Sequence, residues 1–202
     1  MRNQDRLKQN IPETAAQVNH QYTPPTDIVK LPSAGKFYSK EHPLHKVEEV
    51  EVGFMTTKEE DILVSTAYAK QGKVIDKLVE SLLLKSVKAD TLLPGDKSAI
   101  LINARKNAYG PEYKIQISCA ICDHPNKHTV DLDAVGIKEN NQEGVEFTDR
   151  GTFIIKLPKT QANIELKFLT SEDEEEIETR AKQKAQHNLP ETLASDRLRQ
   201  LI

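Results

Sequence analysis

Tryptophan is missing from this sequence and aromatic residues make up only 5% of it, so few large side chains are available to fill a core. Hydrophobic residues account for 37% of the 202 residues, and charged residues for 29%. Because this apolar content is low for the length, we expect part of the chain to lie outside the core or to be ordered by a partner. The length suits one domain with appendages or two small domains.

Long hydrophobic runs and an excess of positive charge are also missing. No apolar run approaches the ~20 residues that span a bilayer, and the first residues lack the apolar segment of a signal peptide. The formal net charge is −3, whereas a nucleic-acid-binding surface needs a basic excess to displace counterions. The sequence therefore predicts a soluble, cytoplasmic protein that has no membrane-spanning segment and does not bind nucleic acid.

Cysteine is scarce, and the two thiols, Cys119 and Cys122, lie close together, which excludes a disulfide framework between distant segments. A tight hairpin turn without metal is one interpretation of the pair. Half of a zinc ribbon or knuckle is another. His128 on the returning strand or a ligand from a partner would complete that site, since His124 lies too close behind Cys122. A redox pair is the third, although nothing nearby resembles the strand–helix context of thioredoxin.

No catalytic motif is recognisable in this sequence. Its six histidines are scattered, and none lies in a nucleophile–base pattern. His42 and His45 are expected in a solvated loop. The acidic run from Glu172 to Glu176 indicates a solvated helix start, because no calcium-loop glycine spacing accompanies it. The sequence therefore predicts no catalytic and no cofactor-binding residues, and the protein is not expected to be an enzyme.

The first part of the chain contains an arm, a turn and a strand. Residues 1–27 are polar and predict a flexible arm, which is either disordered or ordered on a neighbouring subunit. Residues 28–40 predict an irregular element, because Leu31 precedes a proline and must be extended, and a turn follows at Gly35. Residues 46–55 alternate between apolar and polar side chains, which predicts a half-buried strand.

Three short helices are predicted next. The pair Thr56 and Glu59, or the pair one residue further on, has capping-box spacing and opens a helix that ends near Gly72. Residues 74–83 carry the strongest amphipathic pattern in the chain. After a Pro-Gly break, Asp96 is expected to cap the third helix.

The predicted fold class is α+β. A strand and the three helices form a small helical subdomain at residues 28–110, followed by an antiparallel β subdomain at 111–170 that begins with the Cys-x-x-Cys hairpin. Ser171 and Glu174 repeat the capping-box spacing at the start of a highly charged helix, which opens a C-terminal helical segment at 171–202. We expect loss of the hairpin to unfold the β subdomain.

Several short motifs follow one another in a specific order and spacing. They are Leu31-Pro32-Ser33-x-Gly35-x-x-Tyr38, Val50-x-Val52 with Met55-Thr56, Gly95-Asp96 before a helix ending at Arg105, Tyr109-Gly110, Tyr113, Cys119-x-x-Cys122 and Asp131-Leu132. Together, over residues 28–133, they resemble the baseplate proteins of T-even-like contractile-tailed bacteriophages, a family of hub subunits and hub-assembly proteins.

This resemblance implies a non-enzymatic structural subunit or assembly factor of the central baseplate hub, in contact with other hub and tail proteins. It implies a location in the virion tail baseplate, and in the host cytoplasm during assembly. Members of that family often carry the Cys-x-x-Cys without a second cysteine pair, which favours the metal-free turn over zinc. The alternative is a zinc-knuckle adaptor, with Cys119, Cys122 and His128 as candidate ligands, that binds a peptide or another protein.

Overall fold

The structure is a computed structural model that describes residues 25–138, 144–190 and 192–202. Most of the predicted arm, residues 1–24, lies outside the described residues. The first strand, β1 (Thr26–Lys30), includes the last two residues of the segment predicted as an arm. Among the described residues, no helix has both the length and the apolar character needed to cross a membrane.

Along the described chain, two strands are followed by four α-helices, then by five strands and two α-helices. The strands are β1, β2 (Glu49–Gly53), β3 (Glu112–Ser118), β4 (Pro125–Asp131), β5 (Glu146–Phe147), β6 (Thr152–Lys156) and β7 (Asn163–Lys167). The α-helices are α1 (Thr57–Val64), α2 (Thr66–Gln71), α3 (Val74–Leu82), α4 (Pro94–Tyr109), α5 (Ser171–Gln186) and α6 (Leu193–Leu201). The α+β class predicted from the sequence is confirmed.

The described strands form three separate antiparallel sheets. β1 pairs with β2, β3 pairs with β4, and β5, β6 and β7 form a three-stranded sheet in that order. The segment 111–170, interpreted from the sequence as one β subdomain, thus contains two sheets that share no ladder. Because of this separation, loss of the Cys-x-x-Cys hairpin is not expected to unfold β5–β7, contrary to the expectation from the sequence.

The hydrophobic core lies almost wholly in the first half of the chain. Its buried side chains come from β1, β2, α3, α4 and the connections between them, and they are Val29, Leu31, Tyr38, Leu44, Val50, Val52, Leu78, Val79, Leu82, Leu83, Val87, Ala89, Leu92, Leu93, Ile100 and Ala104. Among the described residues after α4, Ile177 in α5 is the one buried hydrophobic side chain. The few buried apolar side chains of this sequence therefore lie almost entirely in one region, before β3.

The strand β1 differs from the irregular element predicted at residues 28–40. Its inward positions are Asp27 and Val29, and Val29 pairs with Val50 of β2. Asp27 accepts hydrogen bonds from the side-chain amides of Asn103 (2.7 Å) and Asn107 (3.1 Å) on α4. The hydrophobic alternation of β1 is hidden because its inward position Asp27 is charged, and the side chains that bond to this carboxylate lie on α4.

The helix boundaries also differ in detail from the predictions. The capping box at Thr56 and Glu59 is confirmed, but the helix expected to run to Gly72 is interrupted at Ser65. That residue has an extended backbone, ends α1 and accepts a bond from the Tyr68 N–H at the start of α2. Four α-helices and a short 3-10 helix (Ala89–Thr91) are therefore described before β3, and α4 is long rather than short.

The sheet β5–β7 is attached to the core region through aromatic rings. Phe37, in the loop after β1, lies edge-on to Phe147, Phe153 and Phe168, with ring centroids 5.3, 5.8 and 4.6 Å away. Such contacts stabilise by about 0.5–1.5 kcal/mol each beyond area burial. The loop after β1 therefore joins two parts of the fold.

The two C-terminal helices are held mainly by polar contacts. Asp173, rather than Glu174, forms the capping box of α5, with Thr170 as its partner. This is one residue earlier than the predicted spacing. The α6 helix folds back on α5, where the Lys184 Nζ lies 2.6 Å from the buried Asp196 carboxylate.

Candidate functional site

Motifs that carry the family resemblance meet at one buried aspartate. The side chain of Asp96, in the first turn of α4, is fully buried. Its carboxylate accepts hydrogen bonds from the Ser33 backbone N–H (2.9 Å), the Ser33 hydroxyl (2.6 Å) and the Tyr38 hydroxyl (2.7 Å). The Tyr38 oxygen accepts a bond from the backbone N–H of Leu93 (3.0 Å). The loop after β1 is thereby tied to the start of α4.

The sequence predicts that Asp96 caps α4, and this prediction is wrong. The helix has no side-chain cap, and Leu93 is its N-cap residue. A buried carboxylate is unfavourable unless it is hydrogen-bonded, and a helix N-terminus also favours negative charge. Burial, and then the charge of Asp96, raise the pKa of Tyr38 far above its usual value, so its hydroxyl keeps the donated proton. We call Ser33, Tyr38 and Asp96 the buried cluster; its enclosure indicates a structural role.

The two histidines expected in a solvated loop are packed beside the buried cluster. The His42 ring stacks on the Tyr38 ring, with centroids 4.3 Å apart, and its Nε2 lies 3.0 Å from the Thr91 hydroxyl. Burial lowers the pKa of His42, which favours the neutral ring at neutral pH. The His45 Nδ1 lies 2.7 Å from the Tyr38 carbonyl oxygen. Both histidines therefore support the loop.

The β3–β4 hairpin, in contrast, is exposed along nearly its whole length. One face carries alternating side chains of both strands, including Asn126 opposite Ile117. We call the other side chains of this face, Tyr113, Ile115, Ile117, His128 and Val130, the apolar hairpin face. Tyr113 is 44% exposed and Ile117 is 52% exposed. A two-stranded hairpin is marginally stable in water by itself, and an uncovered apolar face marks a site of contact. This face is the candidate interaction surface.

A few weak contacts hold the root of the hairpin to α4. The Arg105 guanidinium lies 4.7 Å from the Tyr109 ring centroid and 5.6 Å from that of Tyr113. The Lys106 Nζ lies 2.9 Å from the Asp133 carboxylate. Exposed contacts of these kinds stabilise by at most about 1 kcal/mol each. The hairpin is therefore oriented without a core of its own.

The Cys-x-x-Cys turn lies at the far end of the hairpin. The Cys119 N–H donates to the His124 carbonyl (2.9 Å), and the Asp123 N–H donates to the Cys119 carbonyl (2.9 Å). Hydrogen bonds from the backbone N–H of Ile121, from that of Cys122 and from the Cys122 side chain lower the pKa of the Cys119 thiol. These bonds favour the thiolate, which is the form that binds metal ions.

The structure does not bring His128 to the two thiols. It lies opposite Ile115, four residues before Cys119 in the chain, so about 13 Å of strand separates His128 from the turn. Among the described residues, no three His, Cys, Asp or Glu side chains are grouped so as to hold a metal ion. A zinc site that includes His128 is therefore not supported within one chain, and completion by another chain stays a prediction.

Two features of these sites were not expected from the sequence. The role of Asp96 depends on a loop far away in the chain, and no local pattern identifies that partner. The alternation of Tyr113, Ile115 and Ile117 was recognised as a strand. Alternation alone implies that one face of the strand is buried. Only the tertiary structure shows that no second layer from the described part of the chain covers this face.

Comparison with known proteins gives a family match. A family model described as T4 bacteriophage base plate protein matches residues 24–195, which is most of the chain. No curated protein and no solved structure matches. The matched range includes the buried cluster, the hairpin and all of the described strands.

Proposed function

The chain belongs to the T4 bacteriophage base plate protein family, and from this premise we propose that it is a non-enzymatic subunit or assembly factor of the hub of a contractile tail baseplate. As a member of this family, it has a structural role in the virion tail baseplate, with other phage tail proteins as partners. In the proposed role it acts by protein–protein contact, beginning in the host cytoplasm during assembly.

The observation that carries this proposal is the family match over residues 24–195. The distribution of apolar side chains supports it. The core is complete in the first half of the chain, while the apolar hairpin face has no covering layer in the described part of the chain. Apolar side chains that are left exposed after folding are suited to burial against a partner.

The hairpin offers a partner two kinds of contact. Its apolar face provides side chains such as Ile117 for burial. Each of its two strands also has an open edge, since among the described residues this sheet contains β3 and β4 alone. An open edge presents unpaired N–H and C=O groups to another strand. A neighbouring baseplate subunit that adds a strand and covers the apolar face would satisfy both.

The proposal is tested in a phage whose copy of the gene is disrupted, with tails counted by electron microscopy. We expect incomplete baseplates, restored by the natural sequence supplied in trans. An Ile117→Lys copy should fail, because it places a charge on the apolar hairpin face. Gln116→Lys is the matched control, because the neighbouring side chain points to the opposite face of the same strand. Normal tails without the protein would contradict the proposal.

Mass spectrometry of purified particles separates the two versions of the role. A subunit retained in the hub should be present in mature virions. An assembly factor should be found with incomplete hubs and be missing from virions. Absence from both would contradict each version.

A further inference from the structure

We propose that the Cys119–Cys122 turn is half of a zinc site, and that the same turn of a second copy of this chain supplies the other two thiolates. The site depends on the geometry of the turn and not on the baseplate role. Soft thiolates select zinc over the harder magnesium and calcium ions.

Backbone hydrogen bonds fix the turn that brings the two cysteines to the same tip of the hairpin. The Cys119 N–H donates to the His124 carbonyl (2.9 Å), and the Asp123 N–H donates to the Cys119 carbonyl (2.9 Å). Two thiolates of a tetrahedral zinc site lie about 3.8 Å apart, since each Zn–S bond is about 2.3 Å. Asp123, with a left-handed φ of 54°, turns the chain back into β4. The ligand pair is therefore preorganised by the backbone.

One chain supplies only half of the ligands that a structural zinc ion needs. Such sites are almost always four-coordinate, and no third ligand is grouped with the thiols among the described residues. Two identical turns related by a two-fold axis would provide four thiolates, and closed two-fold pairs are the commonest form of self-association.

The position of the turn permits the turns of two copies to approach each other. It lies at the tip of the hairpin, where Cys122 is exposed and Cys119 is half-buried. Ile121, between the two thiols, is 96% exposed. Pairing of two tips around one ion would cover both isoleucine side chains. Binding converts each thiol to a thiolate, and the released protons go to the solvent.

Cobalt titration of the reduced, full-length protein tests the site. We expect a sulfur-to-cobalt charge-transfer band that saturates at about one ion per two chains, together with tetrahedral d–d absorption. Zinc should displace the cobalt. Sedimentation velocity should show a dimer with either metal and a monomer after chelation.

Substitutions identify the ligands. Cys119→Ser and Cys122→Ser should each abolish the cobalt band and the metal-dependent dimer, while the far-ultraviolet circular dichroism stays unchanged. His128→Ala should leave both intact, because His128 lies away from the turn. Absence of the band, its survival in both serine variants or its loss in His128→Ala would overturn the proposal. Saturation at one ion per chain without a dimer would also overturn it.

Discussion

The two halves of this protein are stabilised in different ways. Before β3, apolar side chains from two strands, two helices and their connections form one core that also encloses the buried cluster. After α4, the described residues contain one buried hydrophobic side chain, Ile177, and rely on ladder hydrogen bonds, an aromatic cluster and ion pairs. The first half is thus stabilised by a hydrophobic core, whereas most side chains of the second half remain at the surface.

The hairpin is the extreme case of this difference. Its strands have regular pairing from Glu112 and Asp131 to Ser118 and Pro125, yet no side chain in either strand is fully buried. Pairing without a packed layer determines shape but adds little stability. Substitutions should therefore affect the stability of the first half strongly, and should affect binding rather than stability in the hairpin.

The largest effect is expected for Asp96→Ala. It removes the acceptor of three hydrogen bonds and leaves the Ser33 and Tyr38 donors buried without a partner, so the free energy of unfolding should fall by about 3–5 kcal/mol. Urea denaturation followed by circular dichroism measures this. Asp133→Ala is the matched control: that carboxylate pairs with Lys106 at the surface, and its loss should change stability by less than about 1 kcal/mol. Equal losses would contradict the role given to the buried cluster.

A smaller effect is expected where the two halves touch. Gly151 has a φ of 81°, and a Cβ added there would lie 2.7 Å from backbone atoms of Tyr38 and Ser39. Gly151→Ala should therefore destabilise the protein by about 2–3 kcal/mol, through backbone strain and displacement of the loop.

Gly72→Ala is the control for the Gly151 substitution. Its φ of 68° imposes similar backbone strain, but no atom lies within 4 Å of the added Cβ. We expect a loss of about 1 kcal/mol in thermal unfolding. If both substitutions gave the same loss, the contact between the β5–β6 turn and the loop after β1 would not matter for stability.

Acid should weaken the second half by a moderate amount. Burial acts to raise the pKa of Asp173, but hydrogen bonds from Gln200, Lys167 and Thr170 outweigh it and lower the pKa from 3.8 to about 2. A lowered pKa contributes stability that is complete above about pH 4 and is lost as the pH falls towards 2. After allowance for solvent screening, this contribution is about 1 kcal/mol.

Asp173→Asn should therefore flatten the fall in stability between about pH 4 and pH 2, measured by urea denaturation across that range. Glu172→Gln, an exposed position in the same turn, should leave the fall as it is. An unchanged acid profile in Asp173→Asn would show that α5 and α6 are not held by this carboxylate.

The smallest effect on stability is expected at the tip of the hairpin. In metal-free buffer, the double variant Cys119→Ser with Cys122→Ser should unfold within about 0.5 kcal/mol of the natural protein, as surface substitutions usually do. A loss as large as that of Asp96→Ala, measured in the same buffer, would show that the hairpin stabilises the core, and the two halves would no longer be distinct.

Local patterns identified most of the elements in this chain. The capping box at Thr56, the amphipathic helix at residues 74–83 and both hairpin strands follow from short-range periodicity and cap chemistry. The order of motifs between residues 28 and 133 also indicated the family, which the match over 24–195 confirms. These features could be predicted because each depends on neighbours a few positions away.

Other features needed the tertiary structure. β1 is not evident from the sequence because its inward position Asp27 is charged, and the side chains that bond to this carboxylate, Asn103 and Asn107, lie on α4. The expected cap at Asp96 was wrong because its carboxylate turns to Ser33 and Tyr38 instead. In both cases the deciding partner lies far away in the sequence, where propensity carries no information.

By itself, the sequence determined the α+β class, the positions of most helices and strands, and the family. The tertiary structure alone decided that the β elements form separate sheets, that the core ends with α4 and that the apolar hairpin face is left uncovered. The physical reason is that periodicity shows which face of a strand is apolar, whereas burial depends on whether another element packs against that face. In the hairpin, Arg105 of α4 contacts Tyr113 at the root, but Tyr113 and Ile117 stay about half exposed, which leaves them available to a partner.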